Sequence, residues 1–440
     1  MRNRYKTILM TACMLSSALL ADAQSANTTN AATKYTEAQW EHYAADNYAG
    51  GTGTAADPYL IATPEQLMKL AVEVENLGSV DTNWNLDYSK GKYWKQTADI
   101  VLNENVLSKV GWADGDASSI SNGTFRTFKG IGYYSADFDY QIFAGTYDGG
   151  GHSISGMYIN SGSTVGLFNL LQGAVVKNLT IKDTYISANA NIGLIAGTAK
   201  EGSQVLNCST SGIIYCGGSY HAGIVGNAAN TKVMNCYTDV WTWAKNNVGG
   251  LVGKSAFSTY IGNCYFNGWL GAVSSNVAKM KYYGAICPEL GKDETKDATT
   301  GTVANPTTAE NCFWTDTCTV RHMSAKAAAY NDSINCTYGV LKNCKAVAVA
   351  DASNIVDELN KGAQNIEGAC KWTLGTNKMP QLVFDTATGI SSLKTSAQAQ
   401  SMKVYTLQGA LVKVAQSADA AVEGLPQGLY IMNGRKLVVK

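Results

Sequence analysis

Three Asn-Cys pairs, Asn207-Cys208, Asn235-Cys236 and Asn263-Cys264, stand 28 residues apart, and that interval constrains the fold more than any other feature. Ahead of each pair lies a glycine-framed apolar run: GLIAG from Gly193, GIVG from Gly223 and GLVG from Gly250. GLFNL from Gly166 begins the series, KNLTI from Lys177 fills the slot of its Asn-Cys pair, and YYGAIC, ENCFW and KNCKA resemble degenerate copies. One such coil cannot bury its apolar side alone, whereas stacked coils share a continuous interior. The expected fold is therefore an all-β parallel solenoid, right-handed by the general rule for parallel crossovers. Each column of a solenoid repeats one chemistry. Asn207, Asn235 and Asn263 tolerate a left-handed bend and can stack amide on amide from coil to coil. Cys208, Cys236 and Cys264, small and apolar, turn inward after that bend as core thiols rather than metal or redox groups.

A competing signal lies inside the third copy. VGGLVGKS, from Val248 to Ser255, imitates a phosphate-binding loop, but G-x-x-x-x-G-K-[ST] requires glycine where Val248 stands. Without a full turn of backbone N–H groups the loop cannot wrap phosphates, and the nucleotide reading fails on spacing.

The N-terminus carries a basic MRNRYK, the apolar TILMTACMLSSALL and the A-x-A site Ala21-Asp22-Ala23. This pattern predicts a signal peptide over 1–23 and an exported chain with no membrane span. Its removal takes Arg2, Arg4, Lys6 and Asp22 from a balanced 34 basic and 34 acidic residues, leaving a net charge of −2. Nucleic acid and anionic lipid are disfavoured as partners. Ten of the 11 cysteines remain. They include no C-x-x-C pair, so a zinc ribbon or thioredoxin-type site is unsupported, while Cys312 and Cys318 could form a local bridge.

VGGLVGKSAFSTYIGNCYFNG resembles the GLUG motif of bacterial surface proteins, and the flanks fit that group. GTGTAADPYLIATPEQLMKLA resembles its opening, GKYWKQTADIVLN and FAGTYDGGGHSISGMYI its entry segments, and KWTLGTNKMPQLVF its closing segment. The resemblance spans roughly 51–385, after an N-terminal linker over 24–50. It departs between Cys287 and Cys344, where long Lys/Thr-rich inserts put the coil register in doubt. Local chemistry supports the edges. Thr63-Pro64-Glu65-Gln66 reads as a capped helix start, and Leu67, Leu70, Ala71, Val74 and Leu77 share one face, so a helix over 63–77 can plug an open end. A second helix is expected in SNIVDELNKG, from Ser353.

A polar linker over 386–401 leads to two β-runs, the second with the hairpin signal Asn433-Gly434. Residues 402–440 resemble the type A C-terminal sorting domain of the type IX secretion system, a small β-sandwich-like module. Gly428, Leu429, Tyr430 and the terminal Lys440 carry the match. The resemblance implies the type IX secretion machinery as a partner. It also implies delivery to the outer surface or medium of a Gram-negative bacterium of the Bacteroidetes type.

Parallel β-helices also carry polysaccharide lyases and glycosidases, which want paired carboxylates or clustered acids. Between 141 and 290 the only acids are Asp148, Asp183, Glu201, Asp239 and Glu289, no two in one repeat column. The four histidines form no recognised catalytic motif, and Asp148 and His152 read as turn residues. From sequence the chain is therefore not an enzyme, has no catalytic or metal residues and needs no cofactor. It is read as an adhesin or a module binding a glycan or surface protein. The alternatives are a carbohydrate-active enzyme and a structural coat protein.

The binding face follows from strand parity. Counting from each ladder cysteine, Thr210, Gly212 and Ile214, Thr238, Val240 and Thr242, and Phe266, Gly268 and Leu270 point inward. Trp241 and Trp269 then share one outward column with Tyr215 and Trp243 beside it, ending at Gly271. These four aromatics are the expected ligand platform, since exposed flat rings mark interaction sites.

Overall fold

The computed structural model describes residues 34–77, 88–110, 125–134, 140–272, 283–300, 302–316, 320–322, 327–328, 335–336, 339–384, 402–406, 411–415, 424–426, 428–432 and 435–439. They fall into two compact units divided between Asp385 and Thr386. The signal-peptide segment, Cys318, the Asn433-Gly434 hairpin signal and Lys440 lie outside the described residues.

The first unit is a parallel β-solenoid of about six turns with a few short helices. One column runs through the coils: Val175 pairs with Gln204, Gln204 with Lys232, Lys232 with Tyr260, Tyr260 with Thr308 and Thr308 with Val340, with register shifts only further along, between Ile181 and Thr184 and between Cys216 and Ser219. A second parallel sheet of six strands closes the coil, and it includes Phe168–Gln172, Ala196–Lys200, Val225–Ala229 and Val252–Ala256. The glycine-framed runs lead into this sheet. At Gly193 an added Cβ would lie 2.4 Å from the Ala196 carbonyl oxygen and 2.6 Å from that of Ile224, so only glycine permits the approach. Leu194, Ile224 and Leu251 fill the interior with the ladder cysteines. Beyond Cys287 the described strands keep the column: Tyr265 pairs with Phe313 and Phe313 with Lys345.

The N-terminal end is plugged. Helix α1, Pro64–Leu77, buries Leu67, Leu70, Ala71 and Val74 in the main core. Thr63 Oγ1 accepts the Gln66 N–H at 3.3 Å and Gln66 Oε1 accepts the Ala62 N–H at 2.8 Å, a variant of the capping box. The strand Tyr59–Ile61 pairs with Tyr93–Gln96 and covers the sheet edge.

Two excursions cover the flank of the solenoid. The short helix α2, Val106–Val110, packs with Leu107 and Phe125 over Tyr158, Tyr185 and Ile213. Asp183 holds it there, its carboxylate accepting the Val106 and Leu107 N–H groups at 2.9 Å each. Helix α3, Ala352–Ala363, and Trp372 from the antiparallel hairpin Lys371–Leu374 and Pro380–Val383 cover Tyr237, Tyr265 and Phe313.

The second unit is one antiparallel sheet of four strands, in the order Leu411–Ala415, Met402–Thr406, Gly428–Met432, Arg435–Val439. Among the described residues of this segment the four strands pair edge to edge in one sheet. Among the described residues no helix is long and apolar enough to cross a membrane.

Candidate functional site

The corner that carries the asparagines is a continuous hydrogen-bonded rail. Asn178, Asn207, Asn235, Asn263, Asn311 and Asn343 all adopt left-handed backbone, with φ between 48° and 56°. Each amide donates to the Oδ1 of the asparagine one coil earlier: Asn207 to Asn178 at 2.8 Å, Asn235 to Asn207 at 2.8 Å, Asn263 to Asn235 at 2.7 Å, and Asn343 to Asn311 at 2.7 Å. Asp148, able only to accept, terminates the rail by taking the Asn178 amide at 2.9 Å.

The second amide hydrogen of the rail reaches a different partner. Asn207 donates to Gly368 O, Asn235 to Cys370 O and Asn263 to Leu359 O, at 2.8, 2.9 and 2.9 Å. In return Asn207 Oδ1 accepts the Cys370 N–H at 2.9 Å and Asn235 Oδ1 the Trp372 indole N–H at 2.6 Å. The rail therefore holds α3 and the closing hairpin against the solenoid. Cys208, Cys236 and Cys264 are fully buried free thiols, each donating to a carbonyl two residues back, and Cys312 continues their column as a free thiol. Burial pushes the Cys208 and Cys264 thiols above the usual range.

On the adjoining sheet the residues counted inward, from Thr210 to Leu270, are buried. Outward residues stand in rows across the coils. Tyr237 faces Tyr265; Ser211 faces Asp239; Ile213 faces Trp241, which faces Trp269; Tyr215 faces Trp243, which faces Gly271. Trp241 and Trp269 lie 5.7 Å apart between ring centroids at an interplanar angle of 43°, and Trp243 meets Trp269 edge to face at 4.8 Å.

The four-residue platform expected from parity is corrected here. Trp241 is 41% exposed, but Trp269 and Trp243 are only 7% and 1% exposed, and Tyr215 is half-buried against the cluster beneath α2. Pointing away from the coil is not the same as facing solvent. Trp243 folds over the bare backbone of Gly271, where an added Cβ would lie 2.7 Å from the indole ring. Trp269 packs between the two other tryptophans.

Beside Trp241 runs a row that sequence reasoning passed over. Ser211, Asp239 and Asn267 are each half-buried, and Asp239 makes no hydrogen bond or ion pair among the described residues. Burial alone pushes its carboxyl up to about 6. Asn267 Oδ1 accepts the Thr315 hydroxyl at 2.5 Å, and its amide hydrogens have no partner among the described residues. The only available signal was that Asp239 is the one acid on the outward face of the three regular coils.

In the second unit Gly428, Leu429 and Tyr430 pair with Val439, Val438 and Leu437, and the Tyr430 hydroxyl donates to Pro426 O at 3.0 Å.

The fold thus defines a class, a parallel β-solenoid with a few short helices, and Trp241 stands exposed on its flank. No family model matches the chain, so the GLUG and sorting-domain resemblances rest on the residues quoted above. The chain is 29% identical over 188 residues to halomucin of Haloquadratum walsbyi, covering 42% of this chain and 2% of that protein. It is 34% identical over 91 residues to the immunoglobulin A1 protease of Streptococcus sanguinis, covering 19% of this chain and 5% of that protein. A crystal structure from Bacteroides ovatus, provisionally described as an immunoglobulin A1 protease, superposes with a TM-score of 0.50 at 20% identity. That match covers 77% of this chain and 95% of the other, and establishes the shared fold. The relatives are surface or secreted proteins, in keeping with a surface β-solenoid. Two of these names are those of a protease, and the exclusion of enzymatic activity drawn from sequence does not stand.

Proposed function

We propose that this chain is an adhesive surface solenoid of the GLUG type that binds a glycan or surface protein through the flank around Trp241. The observation that carries the reading is the exposure of Trp241 on a rigid parallel sheet whose neighbouring outward aromatics are covered. An isolated exposed ring on an otherwise covered row suits contact with a ligand. The test is retention of the purified chain on immobilised glycans and mucins. Trp241→Ser should abolish retention with unchanged melting temperature, whereas Trp269→Ser should lower stability by roughly 3 kcal/mol or more because a buried indole is lost. Retention by Trp241→Ser equal to that of the parent protein would sink the reading. The relatives' names favour a second reading, proteolysis of an immunoglobulin, so the same preparations are incubated with immunoglobulin A1 and cleavage is followed.

The C-terminal unit is proposed as the address read by type IX secretion, placing the protein at the outer surface of a Gram-negative cell. Its support is the resemblance at Gly428, Leu429, Tyr430 and Lys440 together with an antiparallel sheet built from the matching strands. Deleting 402–440 should retain the protein in the periplasm. Surface display of the truncated chain would disprove the assignment.

A further inference from the structure

We propose that Asp239, flanked by Ser211 and Asn267, reads the hydroxyl groups of a neutral saccharide whose ring stacks on Trp241. This rests on the ligand-binding reading of the same flank and names its ligand class. Asp239 and Trp241 are two residues apart on one strand, so their side chains leave the same face about 6.6 Å apart, near the span of one hexose ring. The carboxylate is half-buried yet has no partner among the described residues. A partly desolvated acceptor of that kind costs stability unless something donates to it, and among the described residues nothing does.

The neighbours decide which donor fits. Asn267 has its carbonyl oxygen engaged by Thr315 and keeps amide hydrogens without a partner among the described residues, and half-buried Ser211 carries a hydroxyl. The row therefore offers both acceptor and donor groups. Sugar hydroxyls both donate and accept and can satisfy all three residues. A lysine or arginine side chain only donates, and would satisfy Asp239 while leaving the Asn267 amide unanswered. An anionic sugar would place like charge against the one carboxylate of the row. The single exposed ring sets the scale of the contact, because Trp269 and Trp243 are packed away. One sugar unit stacks, and the polar row gives it orientation.

The full chain is titrated calorimetrically with β-linked neutral hexaoses of gluco, manno and galacto configuration, with hexagalacturonate and with hexalysine. The expected result is that at least one neutral hexaose binds, that Asp239→Asn weakens it about tenfold, the worth of a charge-assisted hydrogen bond, and that hexagalacturonate binds at least tenfold more weakly. Asp239→Asn keeps the side-chain shape and removes a desolvated charge, so its melting temperature should equal or exceed that of the parent. Neutral binding lost in Trp241→Ser but unchanged in Asp239→Asn overturns this inference and leaves the Trp241 reading standing. Binding of hexalysine or hexagalacturonate in preference to every neutral hexaose does the same. A neutral hexaose bound equally by the parent and Trp241→Ser overturns both, whereas binding of none of the probes overturns this inference alone and leaves the Trp241 reading to the glycan and mucin retention test.

Discussion

Asn235 is the rung at which the corner rail and the closing hairpin are most tightly joined, and replacing it separates backbone from side-chain energy. It is fully buried, holds φ at 52°, donates to Asn207 Oδ1 and Cys370 O, and accepts from Asn263 and from the Trp372 indole. In Asn235→Ala, Asn207 Oδ1 still has the Cys370 N–H and the Asn263 amide still has Leu359 O. Three groups are left without those bonds: the part-buried Cys370 carbonyl, one buried Asn263 amide hydrogen and the buried Trp372 N–H. At about 1 kcal/mol or more for each, and about 1 kcal/mol for alanine in the left-handed region, the loss is about 4 kcal/mol. Asn235→Gly loses the same bonds but not the backbone term, so its loss is about 3 kcal/mol. Guanidinium unfolding followed by circular dichroism gives both values. Hydrogen exchange should show residues 359–372 losing protection before the coils, because the rail holds them laterally. Equal costs for alanine and glycine would refute the backbone account. A loss below about 1 kcal/mol in Asn235→Ala would refute the rail as a source of stability.

Two further outcomes follow from buried or strained single residues. Glu41 is buried, with one oxygen accepting the Lys129 N–H at 2.7 Å and the other without a partner among the described residues, and burial raises its carboxyl from the usual 4.5 to about 7. The folded state thus keeps a proton that the unfolded state has lost, so this stabilisation is full below about pH 4.5 and disappears as pH rises through about 7. Glu41→Gln should remove a decline of roughly 3 kcal/mol between pH 5 and 8, measured as the difference between parent and variant unfolding curves; parallel pH profiles would contradict it. Phe257 is 54% exposed at φ 52°, in a corner column where Gly173 and Asn230 hold the same conformation. Phe257→Gly should raise stability by about 1 kcal/mol by relieving a left-handed aromatic residue, and a lowered melting temperature would refute the strain.

The period of 28 residues determined the parallel stacking, and side-chain alternation after each cysteine determined which residues enter the interior. Both are local consequences of one chemistry repeated in register, so a single coil displays them. Thr238, Val240 and Thr242 sit inside for the same reason that Thr210, Gly212 and Ile214 do. The inserts after Cys287 obscured the period without changing the register, since a coil needs only its corner asparagine and the two strand segments beside it: Asn311 and Asn343 stay on the rail.

What lies outside the coil was decided by tertiary structure alone. Trp241 and Trp243 are both outward and only two residues apart, yet one is exposed and the other buried. The difference lies in bare Gly271 and in the packing of Trp269, both from the next coil. The rail itself has one periodic half and one aperiodic half. Its amide-to-amide bonds span 28 residues at Asn235, while its bonds to the closing segment span 96 at Asn263 and 161 at Asn207. Repetition encodes the first kind, because neighbouring coils present identical partners. The second kind is made once, between a repeating surface and a segment that does not repeat, and no period in the chain records it.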